Sequence, residues 1–218
     1  MAGRIDRIEL RGVVPRVFED DRSQIEGSEI WGKEIDFERG RAYLVRSDSG
    51  RGKSSLCSFV YGTRTDYSGR IEYSGEGYTG RESAEEVRRR HIGMMFQELR
   101  LFGDLTVVEN IEVKNQLTKM RSRREIEEML ERVGIAEKRD TECRKLSVGQ
   151  QQRVAFVRLL CQPADFLLLD EPVSHIDDGR GRDMAAMIEE RRRRDGVGVV
   201  VTSIGRDMPI EYDREIQL

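Results

Sequence analysis

Ser47-Asp48-Ser49-Gly50-Arg51-Gly52-Lys53-Ser54-Ser55 packs two glycines, a lysine and several hydroxyls into nine residues. A triphosphate needs this kind of segment: a strand, a tight glycine-containing loop and a helix start whose N–H groups and dipole face negative charge. Lys53 would bridge the β- and γ-phosphates, and the Ser54 hydroxyl would ligate Mg²⁺. The phosphate-loop pattern is G-x-x-x-x-G-K-[ST], and Ser47 stands here at its first glycine. Asp48 brings a negative charge near a polyanion unless it points outward. A second chemical signal is the acid pair Asp170-Glu171, which follows Phe166-Leu167-Leu168-Leu169 and precedes Pro172. Three further segments keep a fixed order around it. Met95-Phe96-Gln97 ends a strand-like run, Leu146-Ser147-Val148-Gly149-Gln150-Gln151-Gln152-Arg153 begins a helix, and Ser174-His175-Ile176-Asp177 follows the acids.

These residues need a scaffold of alternating strands and helices. Short alternating or β-branched segments occur in residues 4–14 and 35–46, and RIEYSGEGYTG from Arg70 reads as strand and turn. Leu44-Val45, Phe166–Leu169 and Val197–Val201 are compact apolar runs beside turn residues, as expected of strands buried on both faces of a parallel sheet. Helical patterns lie between them: SSLCSFVYG after the glycine-rich loop, SRREIEEMLERVGI with Gly134 as its stop, Ser147 through Leu160, and Asp183 through Arg194. The alternation predicts a right-handed α/β architecture. The stretch from about Glu98 to Cys161 reads as a mostly helical subdomain inserted into that sheet.

The ordered motifs resemble the ATP-binding cassette (ABC) ATPase family across nearly the whole chain. Walker A is matched by 47–55, the Q-loop glutamine by Gln97, the signature motif by 146–150, Walker B by 166–171 and the D-loop by 174–177. The resemblance implies a P-loop NTPase fold over 1–218: a RecA-like parallel sheet core, an N-terminal antiparallel β subdomain and the inserted helical subdomain. It implies that Asp170 holds Mg²⁺ with Ser54 and Gln97, and that Glu171 polarises the attacking water. Ser147, Val148, Gly149 and Gln150 would reach the γ-phosphate in a second cassette, so a complete site implies a head-to-tail dimer, with Asp177 communicating between its two ATP sites. Phe18, by its distance ahead of Walker A, is either an adenine-stacking ring or an ordinary core aromatic. FQELRLFGDLTVVENI resembles the branch serving lipoprotein release, macrolide export and cell division. An integral membrane subunit would dock near Gln97 and Glu98–Leu105, placing the cassette on the cytoplasmic face of the membrane.

Three departures from the family pattern bear on hydrolysis. Ser47 replaces a loop glycine, and Val148 adds bulk where the signature backbone approaches phosphate. Val199-Val200-Val201-Thr202-Ser203 puts Ser203 where the family carries its switch histidine, and a serine is too short to supply the same γ-phosphate contact. The expectation is ATP binding with slow or partner-dependent hydrolysis. The alternative is a cassette that gates a partner and hydrolyses little, which Glu171 argues against.

Composition narrows the remaining classes. A chain of 218 residues suits one α/β domain. Its 38 basic and 41 acidic residues nearly balance, giving no global case for a nucleic-acid partner. The runs Arg88–Arg90 and Arg191–Arg194 are interrupted or flanked by Glu and read as solvated helix faces. No room exists between Gln97 and Ser147 for the coiled coils of chromosome-organising relatives, and a single P-loop and signature argue against tandem translation-factor cassettes. Cys57, Cys143 and Cys161 form no CxxC pair, which points away from a metal site or disulfide framework and toward a reducing compartment. No segment approaches the ~20 apolar residues of a membrane span, and MAGRIDRIELRG lacks a leader's apolar core.

Overall fold

The computed structural model describes residues 3–218; Met1 and Ala2, the first two residues of the stretch read for a leader, lie outside the described residues. Two sheets organise the chain. β1 (Arg7–Pro15) pairs antiparallel with both β2 (Glu34–Glu38) and β4 (Tyr67–Ser74). β3 (Ala42–Arg46), β5 (Ile92–Met95), β6 (Phe166–Asp170), β7 (Gly198–Ser203) and β8 (Arg214–Gln217) form a parallel sheet in the order β5-β6-β7-β3-β8. The apolar stretch 35–46 is thus two strands in different sheets, separated by a turn at Arg39–Arg41.

The parallel strands read as continuous apolar runs because both faces are covered, and successive residues serve different cores. Ala42, Leu44, Leu167, Leu169, Val199 and Val201 join the cluster shared with α5 (Val148–Leu160) and α6 (Asp178–Asp195). Tyr43, Val45, Phe166, Leu168 and Val200 face the other way, toward α1 (Lys53–Val60) and the antiparallel sheet. At about 1.5–3 kcal/mol per fully buried large apolar side chain, these two layers supply much of what fixes the sheet.

Between β5 and β6 the chain is helical: α3 (Val107–Asn115), α4 (Arg123–Arg132) and α5. All three start in capping boxes, Thr106 with Glu109, Ser122 with Glu125 and Ser147 with Gln150. Glu125 shows the strength of such a cap: hydrogen bonds from Ser122 and Arg121 hold its carboxyl down at about 2. α4 stops where expected, with Gly134 just beyond it at φ +64°. α2 (Ala84–Arg90) precedes β5.

Two expectations need correction. α6 begins at Asp178, five residues before the predicted Asp183, because the Asp177 carboxylate accepts the Arg180 N–H and caps it there. Its first turns hold Gly179 and Gly181, which blank the apolar periodicity. The Arg191–Arg194 run is not a solvated face throughout. Arg191 is 4% exposed, donates to the Gln162 carbonyl and ion-pairs with Asp195, since α6 turns that side chain toward the core. Among the described residues no helix is long and apolar enough to cross a membrane. The three cysteines are free and buried, and burial raises the thiol pKa of each.

Candidate functional site

The 47–53 loop leaves the C-terminal end of β3 and enters α1 through Gly52, whose φ of +94° is in the left-handed region. Gly52 is also tightly backed: a Cβ there would lie 3.1 Å from the Trp31 ring and 3.3 Å from that of Phe18. The loop therefore needs glycine for conformation and for room.

Lys53 is buried and its ammonium sits inside the loop. It donates to the Ser47 carbonyl at 2.9 Å, the Asp48 carbonyl at 2.8 Å and the Ser47 hydroxyl at 3.2 Å. Ser47 thus adds an acceptor that a glycine could not. Asp48 and Ser49 are exposed, so the Asp48 carboxylate is open to solvent. Burial lowers the Lys53 pKa, against the opposing pull of Glu171, Asp170 and Asp48. Ser55 accepts from Arg64 at 2.9 Å, while Gly50 and Arg51 form the turn of the loop.

Ser54 and Gln97 meet directly. The Ser54 hydroxyl donates to Gln97 Oε1 at 3.2 Å, although they are 43 residues apart. Asp170, at the end of β6, is 2% exposed, and its Oδ1 accepts from Thr202 Oγ1 at 2.5 Å across the β6–β7 pair. Glu171 follows in a left-handed conformation, φ +51°. Two bonds hold that backbone: its N–H donates to the Thr202 carbonyl at 3.1 Å, and Gln152 Nε2 donates to its carbonyl at 2.8 Å. Burial and neighbouring Asp170 raise the Glu171 pKa, and Lys53 pulls it back. Among the described residues no group of three or more His, Cys, Asp or Glu could hold a metal. A hydroxyl, an amide oxygen and one carboxylate instead suit a hard cation completed by phosphate oxygens and water. Ser54, Gln97 and Asp170 fit Mg²⁺ in that sense.

Ser147 and Gln150 are engaged with each other at the start of α5, through Gln150 N–H to Ser147 Oγ at 3.3 Å and Ser147 N–H to Gln150 Oε1 at 2.9 Å. Val148 projects outward, 53% exposed. Gly149 abuts the D-loop: a Cβ there would lie 2.4 Å from the His175 carbonyl oxygen. Gln152 completes the junction by accepting the His175 N–H at 3.1 Å and donating to Ser174 Oγ at 3.2 Å. Arg206, just beyond β7, reaches the Ile176 carbonyl and Asp178, so three motif segments are mechanically tied.

Ser203 is 2% exposed, and its buried hydroxyl has no hydrogen-bond partner among the described residues. It lies at the loop's root, where its carbonyl faces the Ser47 N–H at 3.5 Å. Phe18 is 8% exposed, packed on Gly52 and Trp31, which leaves little of its ring for a base. Both aromatics line an open cavity of about 1110 Å³ with Val14, Ile25 and Ser68.

Sequence reasoning missed Trp31, Gln152 and Thr202. Trp31, 1% exposed, donates from Nε1 to the Arg51 carbonyl at 3.0 Å and props the loop from behind. Trp31→Phe should keep the packing and lose only that bond, costing about 0.5–1.5 kcal/mol. Thermal unfolding checks this: the midpoint should fall by a few degrees, with ATP affinity reduced several-fold as the loop loosens. An unchanged midpoint and affinity would remove Trp31 from the loop's support.

Fold and site together define a P-loop nucleotide-binding cassette. The ABC transporter family model matches residues 32–174, more than half the chain, and the chain belongs to that family. An uncharacterized ABC transporter ATP-binding protein of Mycobacterium tuberculosis (strain H37Rv) is 34% identical over 194 residues, covering 87% of this chain. The match spans 58% of that relative's length. The macrolide export ATP-binding/permease protein MacB of Shewanella sp. (strain ANA-3) is 32% identical over 75% of this chain and 26% of its own. Among solved structures, the dimeric bacterial ABC transporter cassette MJ0796 has a TM-score of 0.76 at 24% identity, covering 96% of each chain, a likeness of fold.

Proposed function

We propose that this chain binds and hydrolyses ATP as the cassette subunit of a membrane transport complex, working as a head-to-tail dimer that sandwiches two ATP molecules. One observation carries the reading. Lys53 and Ser54, Gln97, and the Asp170-Glu171 pair come from three separate segments and converge around one phosphate-sized loop.

Binding begins with exchange: the Lys53 ammonium gives up the Ser47 and Asp48 carbonyls for β- and γ-phosphate oxygens. The loop N–H groups and the α1 N-terminus take the remaining negative charge. Ser54, Gln97 and Asp170 would hold Mg²⁺, which when bound neutralises phosphate charge. Glu171 orients the water for in-line attack, and its raised pKa suits it to accept a proton. Ser147, Gly149 and Gln150 of a second cassette close over the γ-phosphate, and Asp177, at the end of the D-loop, reports between the two sites. Adenine lies in the open cavity that Phe18 and Trp31 line, without stacking on the largely buried Phe18 ring.

The partner is an integral membrane subunit docking along Gln97–Leu105, with the cassette on the cytoplasmic face of the membrane. The macrolide-export relatives support export or extraction over import, and with them the lipoprotein-release and cell-division branch.

Turnover is slow, because Ser203 offers no ring to the γ-phosphate. Losing one donor to developing charge typically costs about 10²–10³ in rate. Steady-state phosphate release at saturating Mg²⁺-ATP, by wild type, Ser203→His and Ser203→Ala, tests both activity and rate. Wild type should fall below the ~1–10³ s⁻¹ typical of enzymes. Ser203→His should be faster, and Ser203→Ala unchanged. A fast wild type with a neutral or harmful histidine would mean another group contacts the γ-phosphate. No Mg²⁺-dependent release even in the membrane complex would overturn the ATPase reading.

A further inference from the structure

Beside Gln97 the chain turns through two non-glycine residues in the left-handed region, Leu99 at φ +59° and Arg100 at φ +48°. That conformation costs on the order of 1 kcal/mol or more per residue and persists only where neighbours hold it. Arg158 of α5 does so, donating to the Leu99 carbonyl at 2.6 Å and the Arg100 carbonyl at 2.8 Å. The turn lays the Arg100 guanidinium over the Phe96 ring, 3.7 Å from its centroid, and Phe96 packs edge-on against Tyr61 at 5.5 Å.

Arg100 has Glu98 at 4.0 Å, but further cations stand beside this turn. Arg88 of α2 approaches the Tyr61 ring at 6.0 Å and spends a hydrogen bond on the Gly62 carbonyl. Lys114 of α3 is half-buried, and burial pulls its pKa down to about 8, with Arg158 and Arg88 repelling it further. Among the described residues, Arg88, Lys114 and Arg158 have no carboxylate within ion-pairing distance. Lys114 has no hydrogen-bond acceptor either. Burial and the like charges of Arg158 and Arg88 both disfavour the ammonium form of Lys114. Exposed apolar side chains stand on the same segments, Phe102 at 55% before α3, Val113 at 44% within it and Leu117 at 55% just beyond it.

We propose that this cation cluster seats an acidic segment of the membrane subunit, with a partner carboxylate closing on Lys114 and apolar partner residues covering Phe102 and Leu117. The inference rests on the docking of a membrane subunit along Gln97–Leu105 and adds the chemistry of its contact. A side-chain carboxylate on a helix or loop reaches a half-buried ammonium and is charge-complementary to all three cations.

Carbodiimide treatment of the complex in native membranes tests this, because that reagent joins only carboxylates and amines already in contact. The expected product is an amide between Lys114 and an Asp or Glu of a chain with membrane spans, identified by peptide mass spectrometry. If Lys119 or Lys145 joins that chain and Lys114 does not, the carboxylate contact is wrong while the docking stands. If no cassette lysine joins a membrane chain, the docking itself is wrong and the inference falls with it. Cosedimentation of the isolated cassette with phosphatidylglycerol vesicles, lost in Lys114→Met, would assign the seat to lipid and overturn the proposal. Lys114→Met should weaken the cassette's hold in the complex by about 30-fold or more. Lys114→Arg should retain it. The isolated Lys114→Met cassette should keep its basal phosphate release and melt no lower than wild type. A lower melting point with unchanged complex affinity would make Lys114 a structural residue and sink the idea.

Discussion

Glu171→Gln should cut phosphate release by about 10²–10⁴-fold, the usual contribution of a positioned proton acceptor, while leaving ATP binding intact. That range corresponds to about 3–5.5 kcal/mol of barrier. The substitution is nearly isosteric, so the bonds that hold the left-handed backbone at 171, from Gln152 and to Thr202, need not change. The amide can still hold a water but cannot accept its proton. ATP should therefore persist between two cassettes. Light scattering in Mg²⁺-ATP should report a dimer for the variant and mainly monomer without nucleotide. Single-turnover phosphate release measures the rate directly, and does so even where the wild type is slow. A variant as fast as wild type would move the water-activating role to another group. A variant that binds ATP yet stays monomeric would count against the sandwich.

Phosphate chemistry made much of this site legible, because it constrains residue type and spacing together. A loop that wraps a triphosphate needs glycine at Gly52, a cation at Lys53 and a hydroxyl at Ser54, all within reach of one strand end. The buried strands were equally readable, since continuous apolar runs such as Phe166–Leu169 leave few other fates for their side chains. What escaped notice depends on distant contacts. Trp31 meets Arg51 across 20 residues, with nothing in its neighbours to mark the meeting. The tie from Gln152 to Glu171 and Ser174 joins two motifs that were read separately. β8 was invisible because only Ile216 is buried in it, between exposed charged and polar residues. The left-handed turn at Leu99-Arg100 contains no glycine, and Arg158 holds it from 58 residues away.

Ser203 illustrates the opposite limit. Its position at the end of an apolar strand was readable, but its burial was not. The hydroxyl points into protein and finds no partner among the described residues, while the next residue, Ile204, is 52% exposed. The serine side chain is therefore turned into protein, while its backbone stays at the root of the loop.

Lys53→Ala should produce the largest loss of binding. In the free chain the ammonium holds the loop by three hydrogen bonds, and its burial places it where phosphate oxygens would arrive. Removing one partner of a buried, hydrogen-bonded charge pair costs about 2–5 kcal/mol, or roughly 30-fold to several thousandfold in affinity. The chain carries its own reporter, because its single tryptophan, Trp31, is bonded to the Arg51 carbonyl of the same loop. Titration of ATP against Trp31 fluorescence, with fluorescent ATP as an independent probe, compares wild type, Lys53→Ala and Lys53→Arg. Wild type should saturate, Lys53→Ala should not at millimolar ATP, and Lys53→Arg should fall between them, since a guanidinium keeps the charge but overfills the loop. Thermal unfolding of Lys53→Ala should stay cooperative, because the two hydrophobic layers behind the sheet do not include this side chain. Equal affinities for wild type and Lys53→Ala would mean that the loop binds no phosphate, and the assignment of the whole site would fall with it.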